Sequence, residues 1–343
     1  MLHRLRRPIV WVPVSLFLLA LVVWRSRLWE AGQQLGPIDA RMVLAALVVG
    51  QATPALWALR SRNLLAAAGR PVPFLALLPL TSFANTINNL TPGSAGELVR
   101  LYLLRMRHGV DYGTGSAVIL IERFVSLGYL SISALLLWFS WLQQWPVLLT
   151  VGLLTALVVA PGVIYGIGVR PLGIVAAAPL GRGFGAARWE ALRTALRGVD
   201  ATIAGLLVHP GRLAAFALAS GAVFVVSTAQ LLLVAGAAGV TLDPRAAWGA
   251  LGLSITAGVL SFLPFGLGAA DLVLVALLTV AGVPALEAGV IAFGYRLVTT
   301  LPYALEGVAA YAWLSARLPE GDMRRAARDA AAAGLNPGSD APG

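Results

Sequence analysis

The 343-residue sequence has no cysteine and no lysine, and only 12% of it is charged. The missing cysteine excludes disulfides, thiolate metal sites and cysteine nucleophiles, and leaves the redox compartment open. The missing lysine excludes Schiff-base chemistry and a phosphate-binding loop of the Gly-x-x-x-x-Gly-Lys type. Only three histidines occur, His3, His108 and His209, and no two have metal-ligand spacing. Ser94, between Gly93 and Gly96, does not stand in a Gly-x-Ser-x-Gly elbow. No metal and no cofactor is expected, and the absences favour transport over catalysis.

What is present is apolar. Hydrophobic residues make up 59% of the chain, with 37 glycines besides. Soluble domains carry roughly 45–50% apolar residues with glycine included and about 25% charged. One aqueous core cannot hide so much apolar surface, so the chain is an integral membrane protein and a water-soluble enzyme is excluded. All 25 basic residues are arginine, against 15 acids, for a net charge of +10. In a soluble protein that excess would suggest nucleic acid. In a membrane protein arginine gathers on cytoplasmic loops, so no nucleic-acid partner is expected.

A bilayer span needs about 20 mostly apolar residues. Full spans are read at Pro8–Trp24, Met42–Leu59, Gly115–Phe139, Pro146–Val169, Leu213–Ala238 and Glu287–Leu314. The first follows Arg4, Arg6 and Arg7, has no small-residue cleavage site and reads as an uncleaved signal-anchor. Two further apolar segments are interrupted, at Thr91-Pro92-Gly93-Ser94-Ala95-Gly96-Glu97 and at Pro264-Phe265-Gly266-Leu267-Gly268. Each flank is marginal for spanning, which suggests re-entrant hairpins; such backbone survives at membrane depth only inside protein or beside a wet cavity. The expected fold is therefore an all-α membrane domain over residues 1–318 with about six full spans and two re-entrant hairpins, followed by a disordered cytoplasmic tail at 319–343. With a cytoplasmic N-terminus, 19 arginines fall on the cytoplasmic side, Arg60 among them, and 4 outside, with Arg123 and Arg296 in spans. In the basic loop 170–212, Trp189, Leu192, Leu196, Val199, Ile203 and Leu206 form an amphipathic helical stripe. The stripe lies either on the anionic inner leaflet or against the bundle.

The interrupted segments resemble each other. Gly109-Val110 and Arg123 recur as Gly282-Val283 and Arg296, each at an offset of 173. Pro92, Gly96 and Glu97 are answered by Pro264, Gly268 and Asp271. Residues of about 40–140 and 211–315 thus read as repeats of opposite orientation. Inverted repeats with discontinuous helices point to a transporter site near the midplane, where half-helix N-termini suit anions.

Ionisable groups within spans cost on the order of 2.5–3.5 kcal/mol each. That makes Glu97, Arg100, Glu122, Arg123, Asp271 and Arg296 candidates for a site, with Glu306 beside them. The arginines would bind an anionic head group, and Glu97 and Asp271 would neutralise, gate or carry a proton. The alternative is that Glu122–Arg123 and Asp271–Arg296 are buried pairs fixing helix register. Asn85, Asn88, Asn89 and Thr91 add uncharged donors and acceptors at the first break, unless they satisfy backbone freed by Pro92. The glycines of the breaks, Gly93, Gly96, Gly266 and Gly268, are placed with them as substrate-binding positions.

These residues resemble the flippase-like transmembrane domain of lysylphosphatidylglycerol synthases. One block runs from Asn88 to Arg100 and on to Glu122-Arg123; the other runs from Leu263 to Asp271 and on to Tyr295-Arg296. The likeness covers roughly residues 5–317. The family's second block usually ends in Glu after Arg, and Ala270-Asp271 departs from it. The resemblance implies translocation between leaflets of an anionic phospholipid or polyprenyl-phosphate-linked lipid in the plasma membrane, with both termini cytoplasmic. Only a short tail follows Leu314, so the aminoacyl-transfer activity of the synthases is not expected. Membrane lipids are the expected partners, with a glycosyltransferase or lipid synthase as a further one. Two other readings stay open: a non-catalytic subunit or scaffold for such an enzyme, and an enzyme acting on a lipid-linked sugar.

Overall fold

A computed structural model describes residues 37–91, 95–146, 186–261 and 266–316, with isolated positions at 17, 20–24, 148–150, 152, 153, 156 and 263. Most of the spans read at Pro8–Trp24 and Pro146–Val169, the turn Pro92–Ser94 and the tail lie outside these residues.

Every regular element among the described residues is a helix. Helix α1 (Ala40–Gly50) starts where the Asp39 carboxylate accepts from the Arg41 N–H at 2.8 Å. It passes through Gln51 into α2 (Ala52–Ala67). Residues 40–67 form one apolar stretch long enough to cross a membrane. The span read at Met42–Leu59 therefore continues through Arg60 and Ser61. It stops where the Arg70 N–H reaches the Leu65 carbonyl at 2.8 Å.

Helices α3 (Phe74–Leu90) and α4 (Ala95–His108) are short, 17 and 14 residues, and pack on each other. Gly96 makes their crossing close, because a Cβ there would meet the Ala84 carbonyl and the Asn88 N–H. Next come α5 (Tyr112–Phe124), a π-helical turn at Val125–Tyr129 and α6 (Leu130–Leu142), which together are long enough to cross. Asp111 caps α5, accepting from the Thr114 N–H at 2.8 Å, and that bond holds its carboxyl below the usual range.

Helix α7 (Ala186–Val208) carries the amphipathic stripe. Val199 and Leu206 are buried in one cluster with Ala58, Leu64, Val118 and Ile121, so this part of the stripe packs on α2 and α5. The Arg212 guanidinium donates to the Ala66 carbonyl at 2.9 Å, a cation at the carboxyl end of α2.

The rest of the bundle comprises α8 (Pro210–Ala237), α9 (Pro244–Leu260), α10 (Ala269–Val280) and α11 (Ala285–Ser315). Helices α8 and α11 are long enough to cross, whereas α9 and α10, 17 and 12 residues, form a second short pair packed on each other. Exposed Leu44, Val48, Leu218, Val225, Leu301 and Leu305 give the long helices outer faces suited to lipid tails.

The packing between the two parts of the chain is reciprocal. The first short pair lays α3 on α11, and the second lays α9 on α6. Helices α1 and α2 pack on α8. Gly249 and Gly252 let α9 approach α6, their missing side chains standing against Trp138 and Ala134. The repeated Gly-Val also has a physical account. Gly109 and Gly282 have φ of +62° and +90°, just past the ends of α4 and α10. The following N–H groups, of Val110 and Val283, return to the Leu104 and Leu278 carbonyls, and both valines are buried. This is the left-handed helix stop with its hydrophobic contact.

Candidate functional site: one polar cavity lined by both halves

The first short pair and the helices beside it bring six charged or polar groups together. Asn88, near the end of α3, accepts from the Glu97 N–H at 3.1 Å and donates to the Glu97 carboxylate at 3.0 Å. It thus supplies the first turn of α4 with an acceptor. Arg100 lies one turn after Glu97 on the same face and crosses to Glu122 on α5. Its Nη1 and Nη2 meet the Glu122 Oε2 and Oε1 at 2.6 and 3.0 Å. Ser61 on α2 completes the cluster, accepting from Arg100 at 2.8 Å and donating to Glu122 at 2.6 Å. Arg123 turns the other way and pairs with Glu97.

The expected Glu122–Arg123 pair is therefore exchanged. Glu122 belongs to Arg100, and Arg123 to Glu97. Adjacent residues point to different sides of a helix, so one cannot serve the other. The expected Asp271–Arg296 pair does form, with Arg296 Nε donating to Asp271 Oδ1 at 2.7 Å. The other carboxylate oxygen of Asp271 accepts from the Gly268 N–H at 2.9 Å, capping α10. The same acid-to-arginine pair thus occurs twice, its partners 26 positions apart in the first half and 25 in the second.

Both clusters line one cavity of about 530 Å³. Of the residues picked from sequence, Asn85, Asn88, Asn89, Thr91, Glu97, Arg100, Glu122, Arg123, Gly266, Asp271 and Arg296 line it. Gly96 instead serves the α3–α4 crossing, and Gly268 the cap of α10. Gly93 lies outside the described residues. Glu306 is not on the cavity wall, and its buried Oε1 has no hydrogen-bond partner among the described residues. The arginine side chains differ in access: that of Arg100 is 6% exposed, Arg296 17% and Arg123 37%. Arg100 is locked in its network, whereas Arg123 presents a face to the cavity.

Several lining residues escape the sequence reading: Arg60 and Ser61 on α2, Trp57 on α2 against Tyr303 on α11, and Tyr295. The Trp57 and Tyr303 rings are 5.3 Å apart. A signal for Ser61 was available. Pro54, Ala58, Ser61 and Leu65 recur at steps of 4, 3 and 4, and the helix stop, Gly69 followed by Pro71, comes well after Leu59.

The arrangement provides fixed guanidinium donors, amide donors and acceptors and aromatic rings within an apolar bundle. The hydroxyl–carboxylate contact of Ser61 with Glu122 is held by Arg100, which donates to both. The cavity can hold a polar or anionic group. A family model described as the lysylphosphatidylglycerol synthase TM region matches residues 9–307. No curated protein matches the chain.

Proposed function

We propose, on the premise that the chain belongs to the lysylphosphatidylglycerol synthase transmembrane-region family, that it moves an anionic lipid between leaflets. The family and the four long apolar helices make it a multi-pass membrane protein with a lipid-related role. In this reading the lipid is a phospholipid or a polyprenyl-phosphate-linked molecule, and the membrane is the plasma membrane with both termini cytoplasmic. The short pairs α3–α4 and α9–α10 enter as re-entrant hairpins from opposite sides, alongside six full spans.

One observation carries the reading. A single polar cavity is lined by both halves of the chain, and each half contributes one acid–arginine pair to it. The reciprocal packing of α3 on α11 and α9 on α6 supports an inverted repeat, the arrangement that places transporter sites at a repeat interface. The head group sits against Arg123 and Arg296, with Asn85, Asn88, Asn89 and Thr91 beside it. Arg100 and Glu122 hold the wall.

Proteoliposomes carrying head-group-labelled lipids test this. Purified protein should accelerate the exchange of anionic lipid between leaflets, and Arg123→Gln and Arg296→Gln should each reduce the rate at least about tenfold, as loss of a charge-assisted hydrogen bond predicts. Protein that moves no labelled lipid under any gradient overturns the reading. The buried Arg100–Glu122–Ser61 network favours a second reading, a scaffold for a lipid synthase. There, neutralising Arg123 or Arg296 leaves function intact and weakens assembly.

A further inference from the structure

We infer that Arg60 joins Arg123 and Arg296 in receiving the anion and that the ligand is a lipid with a single phosphodiester charge. The inference rests on the lipid-transport reading above and narrows it.

Four guanidinium groups line the cavity, and three have a carboxylate of their own: Arg100 has Glu122, Arg123 has Glu97 and Arg296 has Asp271. Arg60 is the fourth. Among the described residues no carboxylate oxygen lies within 4.0 Å of it; its recorded hydrogen bond is a long one, 3.4 Å, from Nη2 to the Glu122 main-chain carbonyl. Its Nε is buried and, like that of Arg100, has no hydrogen-bond partner among the described residues. The residue is 6% exposed, on α2, inside the apolar stretch of residues 40–67. Arg100 and Arg123 are near enough to repel it, and Glu97 and Glu122 near enough to attract it, but each of these acids is already paired.

A buried charge without a partner is among the costliest arrangements a protein can hold, and membrane burial makes it functional by default. Among the described residues no carboxylate supplies the compensation, and a bound anion would. Four cations and three anions on the wall leave one formal positive charge. A phosphodiester carries one negative charge and brings the occupied cavity to neutrality, with acceptor oxygens for the Arg60 Nε–H. A diphosphate-linked lipid carries at least two and leaves the occupied cavity negative in a low-dielectric surrounding. A zwitterionic head group supplies the phosphate but adds a cation to a site that already has one in excess.

Isothermal titration of the full chain in nonionic detergent tests this with three probes: dioctanoyl phosphatidylglycerol, dioctanoyl phosphatidylcholine and farnesyl diphosphate. Phosphatidylglycerol should bind most tightly, and Arg60→Gln should weaken it about tenfold or more, while Arg60→Lys retains most of the affinity. Glu97→Gln raises the wall's charge by one and should reverse the ranking in favour of farnesyl diphosphate; this variant decides the matter if Arg60→Gln does not fold. If none of the probes binds, the transport reading itself falls. If phosphatidylglycerol binds and Arg60→Gln binds it equally well, only the role of Arg60 falls. If farnesyl diphosphate binds wild type at least as tightly, or Glu97→Gln leaves the ranking unchanged, the single-charge assignment falls.

Discussion

At the scale of single residues, the Arg100–Glu122 pair has the clearest energetic consequence. Both partners are buried, and Ser61 satisfies one oxygen of the acid. Removing one partner strands the other, so Arg100→Ala should lower stability by about 3–5 kcal/mol, read by thermal unfolding in detergent. Replacing both with Met and Leu should recover most of that loss, because the stranded charge is gone. Asp111 gives a pH dependence. Its folded carboxyl is depressed, chiefly by the Thr114 N–H. Its contribution is therefore complete above the ordinary carboxylate value of about 4 and is lost as pH falls through the depressed one. Asp111→Asn should flatten that acid limb of a melting-temperature profile. The acids and arginines of the site were legible because charges are rare in apolar segments. Arg60 was not, because it stands beside Arg62, and two close arginines after an apolar run read as a cytoplasmic loop. The exchange of partners between Glu122 and Arg123 was legible in principle: Glu97 and Arg100 share one face of α4, and neighbours on α5 do not.

At the scale of elements, glycine decides how near the short helices can lie. Gly252 stands against Ala134 and Leu130 where α9 meets α6. Gly252→Val forces these helices apart and should cost about 1–3 kcal/mol of stability, whereas the same change at Gly221, with nothing within 4 Å, should cost less; paired thermal melts give the comparison. The helix breaks near Pro92 and Pro264 were legible from Pro and Gly alone. The Gly-Val repeat was legible as a pattern but not as a cause, since a left-handed helix stop follows from φ and from what the valine contacts. The face of α7 could not be assigned from its stripe, because a lipid leaflet and a helix bundle ask for the same periodicity. The packed positions of Val199 and Leu206 place it on α2 and α5.

At the scale of the whole molecule, the two halves share a hydrophobic core. One cluster joins Ala46 and Trp138 from the first half to Leu231, Ala250, Leu274 and Ile291 from the second. Residues 1–209 and 210–343 expressed separately should each fail to give a monodisperse species in detergent, and co-expressed they should copurify; a stable, monodisperse single half would contradict this. The chain's membership of a membrane class was legible from composition, but the way one half covers the other was not, since sequence offers no sign of which helix faces which. That interlocking also sets a schedule for biogenesis. Thr86 on α3 donates to the Tyr303 carbonyl, 217 residues further along the chain. At a synthesis rate of roughly 5–20 residues per second, α3 therefore waits about 10–40 s for the helix it packs on. Through that interval the polar face formed by Asn85, Asn88, Glu97 and Arg100 stands without the second-half wall of the cavity, so the nascent first half should stay longer at the insertion machinery, until α11 arrives.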